Sequence, residues 1–137
     1  MIQIPTKDGE ISINRDKGVA DFISTLMVAR NIIHAQHLAT TSFAKHMALN
    51  DLYDALPDHI DDLVEKWQGY NGRIFEGYKS GDGSAIGTGD PIKVVSTLLK
   101  YVESNRTVFG QVSMLQNIVD ELVADIATAR YKLMFLS

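Results

Sequence analysis

Seven of the ten glycines fall within residues 69–89: Gly69, Gly72, Gly77, Gly81, Gly83, Gly87 and Gly89. Glycine costs about 1 kcal/mol per residue in a helix interior. The stretch therefore divides the chain into two halves joined by a long irregular connection. Its tip, SGDGSAIGTGD, lacks the GK[ST] ending of a phosphate-binding loop and reads as a flexible crossover over 69–90. At most a short helix fits within it, around Arg73–Tyr78.

On either side the apolar period is 3.6. From Gly18 to about Ala39, Val19, Phe22, Ile23, Leu26, Met27, Ile33 and His37 recur at spacings of three and four. Thr40-Thr41-Ser42 interrupts the pattern with short hydroxyl side chains that cap the next helix. That second helix runs from about Phe43 to Trp67. Its stripe reads Phe43, Met47, Tyr53, Leu56, Ile60, Val64 and Trp67, which leaves Leu49 and Leu52 outside it and in need of a neighbouring chain. Pro57 lies inside and predicts a kink. Asp90-Pro91 starts a third helix, with a carboxylate N-cap and proline at N1, that extends to about Asn105. A fourth runs from about Val108 to Leu136 on Leu115, Ile118, Val119, Leu122, Ile126 and Leu133. Met27, Met47, Met114 and Met134 read as core fillers.

Two short links and one long one predict an all-α, ferritin-like four-helix bundle with a long crossover between the second and third helices, or else an ordinary up-down bundle with a floppy loop, as a single domain over 1–137. Residues 1–17 read differently. Ile2, Ile4, Ile11 and Ile13 alternate around Lys7-Asp8-Gly9, which predicts a short N-terminal β-like arm.

Composition excludes several function classes. The chain has 45% apolar and 22% charged residues, ordinary for a folded globular domain. It contains no cysteine, so thiolate metal sites, iron–sulfur clusters and cysteine nucleophiles are out. Thirteen Lys+Arg against 17 Asp+Glu give a net charge of -4, which argues against a phosphate-binding face and predicts weak DNA binding at most. No apolar run approaches the roughly 20 residues of a membrane span, and no signal-peptide stretch opens the chain. A cytoplasmic protein is expected, in the host cytoplasm if viral.

The chemistry concentrates near the first interruption. Three of four histidines, His34, His37 and His46, lie within 13 residues. His34 and His46 are equidistant from Thr40, so an antiparallel hairpin is expected to bring their imidazoles face to face. Imidazole suits zinc, iron and copper. His37 reads as a polar lining residue, and His59, between Asp58 and Asp62, as a solvated one. Asp120, Glu121 and Asp125 are expected to be exposed. Asp61 and Glu65 share a helix face with His46, yet His46 and Asp61 stand about 22 Å apart along one helix. One ion can take both only if two chains lie with these helices antiparallel across a two-fold axis.

The spacing His34-x11-His46-x14-Asp61-x3-Glu65 resembles the ferroxidase motif of the Dps family, the mini-ferritins. The stretch HAQHLATTSFAKHMALNDLYDALPDHIDDLVEKW looks like that family's first hairpin, and short phage-encoded ferritin-like proteins are similar again. The resemblance implies iron binding and storage, with ferrous iron oxidised at inter-subunit sites. It also implies a homo-oligomer, typically a dodecamer, with His34 and His46 of one chain joined by Asp61 and Glu65 of its neighbour as metal ligands. Two departures weigh against activity. Asn50 stands where the family usually has an aspartate, and Ala35 where it has a tryptophan. A Lys/Arg-rich tail is also missing. Two functions therefore stay open: an iron-storing ferroxidase subunit, or a catalytically inactive structural or interaction protein of viral type.

Overall fold

The computed structural model describes residues 9–136, with side chains from residue 15 onward. Four helices make the fold: α1 (Gly9–Ala39), α2 (Phe43–Asn71), α3 (Pro91–Asn105) and α4 (Ser113–Phe135). A 3-10 turn, Arg106–Phe109, precedes α4.

Local chemistry sets most of the helix ends. Ser42 caps α2 by accepting a bond from the Lys45 N–H at 3.2 Å. Gly72, at φ 72°, closes α2 in the left-handed conformation that favours glycine, its N–H bonded to the Gln68 carbonyl. Asp90 accepts from the Lys93 N–H ahead of Pro91. Gly110, at φ 67°, turns the chain after the 3-10 segment, so α4 starts at Ser113 rather than near Val108. Arg106 holds that corner. It donates to Gln116 Oε1, Glu103 and Asp120, and the Asp120 carboxylate keeps the guanidinium pKa raised.

The expected N-terminal arm is corrected in part. Residues 1–8 lie outside the described ones. From Gly9 onward the backbone is helical, so the run Ile11–Ile13 belongs to the first turns of α1 and not to a strand. Once a helix is nucleated, each added residue gains a backbone hydrogen bond, whereas an isolated pair of strands is marginal.

The crossover is strung along α1 in the direction of α1 itself. Arg73 pairs with Asp16, the Gly81 N–H donates to the Ser24 carbonyl at 3.0 Å, and Gln36 Nε2 donates to the Gly89 carbonyl at 2.9 Å. From Asp16 to Gln36 the helix rises about 30 Å. The 16 steps from Arg73 to Gly89 would reach only about 24 Å as a helix. Extended chain is needed, and the short helix considered at Arg73–Tyr78 does not form. Gln68 anchors the start of this run, its Oε1 accepting from the Phe75 N–H and the Tyr78 hydroxyl.

Because the crossover returns the chain to the far end, α3 runs antiparallel to α1, and α4 antiparallel to both α3 and α2. Rings of Phe22 and Tyr101 meet between α1 and α3, Arg130 donates to Ser96 between α4 and α3, and Lys132 reaches Asp51 between α4 and α2. Around the bundle the order is α1, α2, α4, α3. The core is filled by Phe22, Leu26, Ile33, Leu49, Leu56, Leu63, Leu98, Leu122 and Ile126, all fully buried. Each such side chain contributes about 1.5–3 kcal/mol by leaving water. Among the described residues no helix is long and apolar enough to cross a membrane.

The α2 stripe read from sequence is also corrected. Leu49 and Leu52 are core, at 0% and 2% exposure, while Phe43 and Met47 stand out at 78% and 41%. Met114 and Met134 are exposed rather than core fillers. α2 packs on two neighbours, α1 and α4, and the side facing both is centred on Leu49, Leu52, Leu56 and Leu63.

Candidate functional site

The histidine-bearing seam lies where α1 ends and α2 begins. Thr40–Ser42 is the only non-helical link between them, with the Ser42 N–H held by Thr40 Oγ1 at 3.1 Å. So tight a turn fixes the register of the two helices. The residue it sets against His46 is His37, not His34. Their rings stack with centroids 3.7 Å apart and 26° between planes. The midpoint of this pair falls between Thr41 and Ser42, beyond the Thr40 centre assumed from sequence, and that shift moves the facing partner by one helical turn. His34 stacks instead on Tyr53, at 4.2 Å and 18°. The Arg30 guanidinium lies 5.5 Å from the same Tyr53 ring, within cation–π range. Arg30, Tyr53, His34, His37 and His46 thus form one ladder of planar groups along the seam.

The inner pair is also tied by reciprocal hydrogen bonds. His37 Nδ1 faces the His46 carbonyl and His46 Nδ1 faces the His37 carbonyl, each at 2.9 Å. A carbonyl can only accept, so Nδ1 carries the proton on both rings, an assignment that follows from the bonding geometry. The His37 carbonyl is among the last four of α1, which have no helical donor, so His46 caps that end. In the neutral rings Nε2 keeps its lone pair. A backbone carbonyl holding the other ring nitrogen is how metal-binding imidazoles are usually oriented.

The carboxylates expected to complete a metal site stand elsewhere. Asp61 and Glu65 are exposed on α2, and Asp61 borders a cleft of about 360 Å³ with Met27, Arg30, Asn31, Pro57, Ile60 and Ser80. Helix α2 is continuous through Pro57, so His46 and Asp61 remain about 22 Å apart. Among the described residues no three histidines or carboxylates of one chain gather closely enough to hold an ion.

His59 departs from its expected solvated role. It is buried between α2 and α4, and its Nε2 meets Asp125 Oδ2 at 2.6 Å. The sequence does carry a signal for this. His59 continues the run Leu52, Leu56, Leu63 at helical spacing, and Asp125 sits one residue before the core Ile126. Asp125 is exposed as expected, as are Asp120 and Glu121.

The chain is thus an all-helical bundle with one long crossover and a histidine-rich hairpin. Its residues 37–133 match the model of a family described as a family of unknown function, DUF5856, and the chain belongs to that family. It is 29% identical over 113 residues to a protein of Enterobacteria phage T4, described as an uncharacterized 14.6 kDa protein in the mobD-ri intergenic region. That similarity covers 82% of this chain and 85% of the phage protein. No solved structure matches the chain.

Proposed function

We propose that the chain is a phage-type interaction protein: a helical bundle that holds another protein chain against one of its ends, without catalysis of its own. The observation that carries this reading is the exposed apolar surface where α1 ends, α2 begins and α4 ends. Leu38, Phe43, Tyr131 and Phe135 stand 71%, 78%, 54% and 67% exposed there. Large apolar side chains left exposed near one end of a bundle are a surface that another protein can cover. The similarity to a T4 protein supports the phage-type part. The test places a photo-reactive phenylalanine analogue at Tyr131 in the full chain inside expressing cells, with exposed Glu76 of the crossover as the control position. Protein adducts from Tyr131 and none from Glu76 are expected. Equal labelling at both, or none at either, refutes the reading.

A second reading keeps the iron chemistry that the Dps-like spacing implies. It is supported by the Nδ1–carbonyl bonds that leave Nε2 of His46 available, and by Asp61 and Glu65 one turn apart on an exposed face. It needs two chains, so that His34 and His46 of one approach Asp61 and Glu65 of the other. Iron held there as substrate would be oxidised from ferrous to ferric by oxygen or peroxide. Against it stands the neutral Asn50, where the family that the spacing resembles usually has an aspartate. Anaerobic ferrous titration followed by air decides it. Stoichiometric binding lost in both His46→Ala and Asp61→Ala supports a shared site, and no binding by the native chain ends this reading.

A further inference from the structure

We infer that the cleft between α1, α2 and the crossover binds a short extended segment of another protein. That segment carries an acidic and a basic residue four positions apart, with an apolar residue midway. The cleft is a second surface, independent of the reading above: its Pro57 lies about 21 Å along α2 from Phe43.

The cleft holds about 360 Å³, and its apolar lining is Met27 from α1 with Pro57 and Ile60 from α2. Four polar side chains share it: Arg30, Asn31, Asp61 and, from the crossover, Ser80. Their bonding within the chain is incomplete. Arg30 is placed by the Tyr53 ring and donates one N–H to Asn31 Oδ1 at 3.3 Å. Among the described residues it has no carboxylate partner, and Asp61 has no cationic one. The Asn31 amide N–H groups and the Ser80 hydroxyl likewise make no bond to the described protein. An apolar lining with a few polar groups left to be satisfied is the make-up of a binding site.

Spacing selects the occupant. Arg30 stands at the level of Tyr53, and Asp61 is eight residues further along α2, about 12 Å away along its axis. Pro57 is midway between those levels. The cleft is thus positive at one end, negative at the other and apolar between. In an extended chain, residues i, i+2 and i+4 share a face and span about 13 Å. An acidic residue then meets the Arg30 guanidinium, which suits a carboxylate through paired N–H bonds. The apolar residue covers Met27 and Pro57, and the basic residue meets Asp61. Asn31 and Ser80 supply bonds for the segment's backbone. Width agrees: 360 Å³ spread over about 12 Å leaves a section of about 30 Å², or 5–6 Å across. One extended chain fits there, being spaced about 4.8 Å from its neighbours, whereas a helix about 10 Å across does not. A segment of one sign would set a like charge against Arg30 or Asp61.

The experiment titrates the full, isotope-labelled chain, with a metal chelator present, and follows amide signals by NMR. The probes are acetyl-Glu-Ser-Leu-Ser-Lys-amide and acetyl-Lys-Ser-Leu-Ser-Glu-amide, since the cleft admits either chain direction. At least one should shift Asn31, Ile60 and Ser80, with a dissociation constant of about 0.1–1 mM. Arg30→Gln and Asp61→Asn should each weaken binding about fivefold, as expected for partly exposed ion pairs. Asp61→Lys should lose both probes and instead bind acetyl-Glu-Ser-Leu-Ser-Glu-amide, which the native chain rejects; misfolding cannot produce that gain. No shift at these residues up to about 5 mM overturns the inference. So does equal binding of the scrambled acetyl-Ser-Glu-Lys-Leu-Ser-amide, or an Asp61→Lys variant that does not gain the new peptide. Linear 8-aminooctanoate carries both charges without a backbone, and tighter binding of it than of the peptides overturns the peptide occupant. The Tyr131 adducts report on the bundle end, so either reading can fail while the other stands.

Discussion

The reciprocal bonds between His37 and His46 make a quantitative prediction about the α1–α2 hairpin. Replacing either residue with alanine removes one hydrogen bond and the ring stack between them. The two bonds are unequal. The His46 carbonyl sits inside α2 and keeps its helical donor, so losing the His37 ring costs about 0.5–1.5 kcal/mol in that bond. The His37 carbonyl is at the end of α1, so losing the His46 ring leaves it unpaired at about 1–3 kcal/mol. Ring pairs of this kind contribute about 0.5–1.5 kcal/mol beyond burial. Each single variant loses the whole stack, but the double variant loses it only once. The double variant should therefore be less destabilised than the sum of the singles by about 0.5–1.5 kcal/mol. Urea unfolding followed by helical circular dichroism measures all four proteins, at one fixed protein concentration because association shifts apparent stability. Additivity within about 0.3 kcal/mol would show that the stacked geometry contributes nothing, and the reasoning would fail.

Other consequences follow from burial and backbone geometry. Leu122→Ala, at a fully buried position of α4, should cost about 2–5 kcal/mol in the same unfolding assay. Gly72→Ala should cost about 1–2 kcal/mol although a Cβ there meets nothing within 4 Å, because φ of 72° penalises any L side chain. Burial, reinforced by the nearby Asp16 carboxylate and opposed by Arg73, pushes the Tyr78 phenol above its usual 10.0. The neutral phenol is thus favoured in the folded chain. Its contribution is complete below pH 10.0 and is lost as pH rises through the folded value. Tyr78→Phe should flatten the fall in stability above pH 10, and an unchanged slope would count against this cause.

Where the signal is local, the residues alone were informative. The ends of α3 are set by Asp90-Pro91 and by the loss of helical pattern after Asn105, and the structure places the helix at Pro91–Asn105. Ser42 caps α2 from the hydroxyl run that marks the turn. The glycine-rich crossover is legible because glycine acts on the backbone whatever surrounds it. Gly110 carried the same kind of signal for the late start of α4, and the apolar pattern from Val108 onward masked it.

The rest depended on neighbours. α2 carries apolar residues on most of its circumference, so periodicity permits more than one buried stripe. Packing between α1 and α4 selected Leu49, Leu52 and Leu63, and left Phe43 and Met47 in water. The pairing of His37 with His46 was settled by a turn whose centre lies between Thr41 and Ser42 instead of at Thr40, a shift that exchanges one turn of α1 for the next. His59 found its carboxylate 66 residues away on α4; helical spacing marks each residue as lying near the core but does not pair them. Sequence alone determined most of where this chain is helical and where it must cross over, since capping, glycine and periodicity act within a few residues, but the alternation of Ile11 and Ile13 hid the first turns of α1. Tertiary structure decided which faces are buried and which side chains meet, because those choices depend on the register between helices, and only packing sets it.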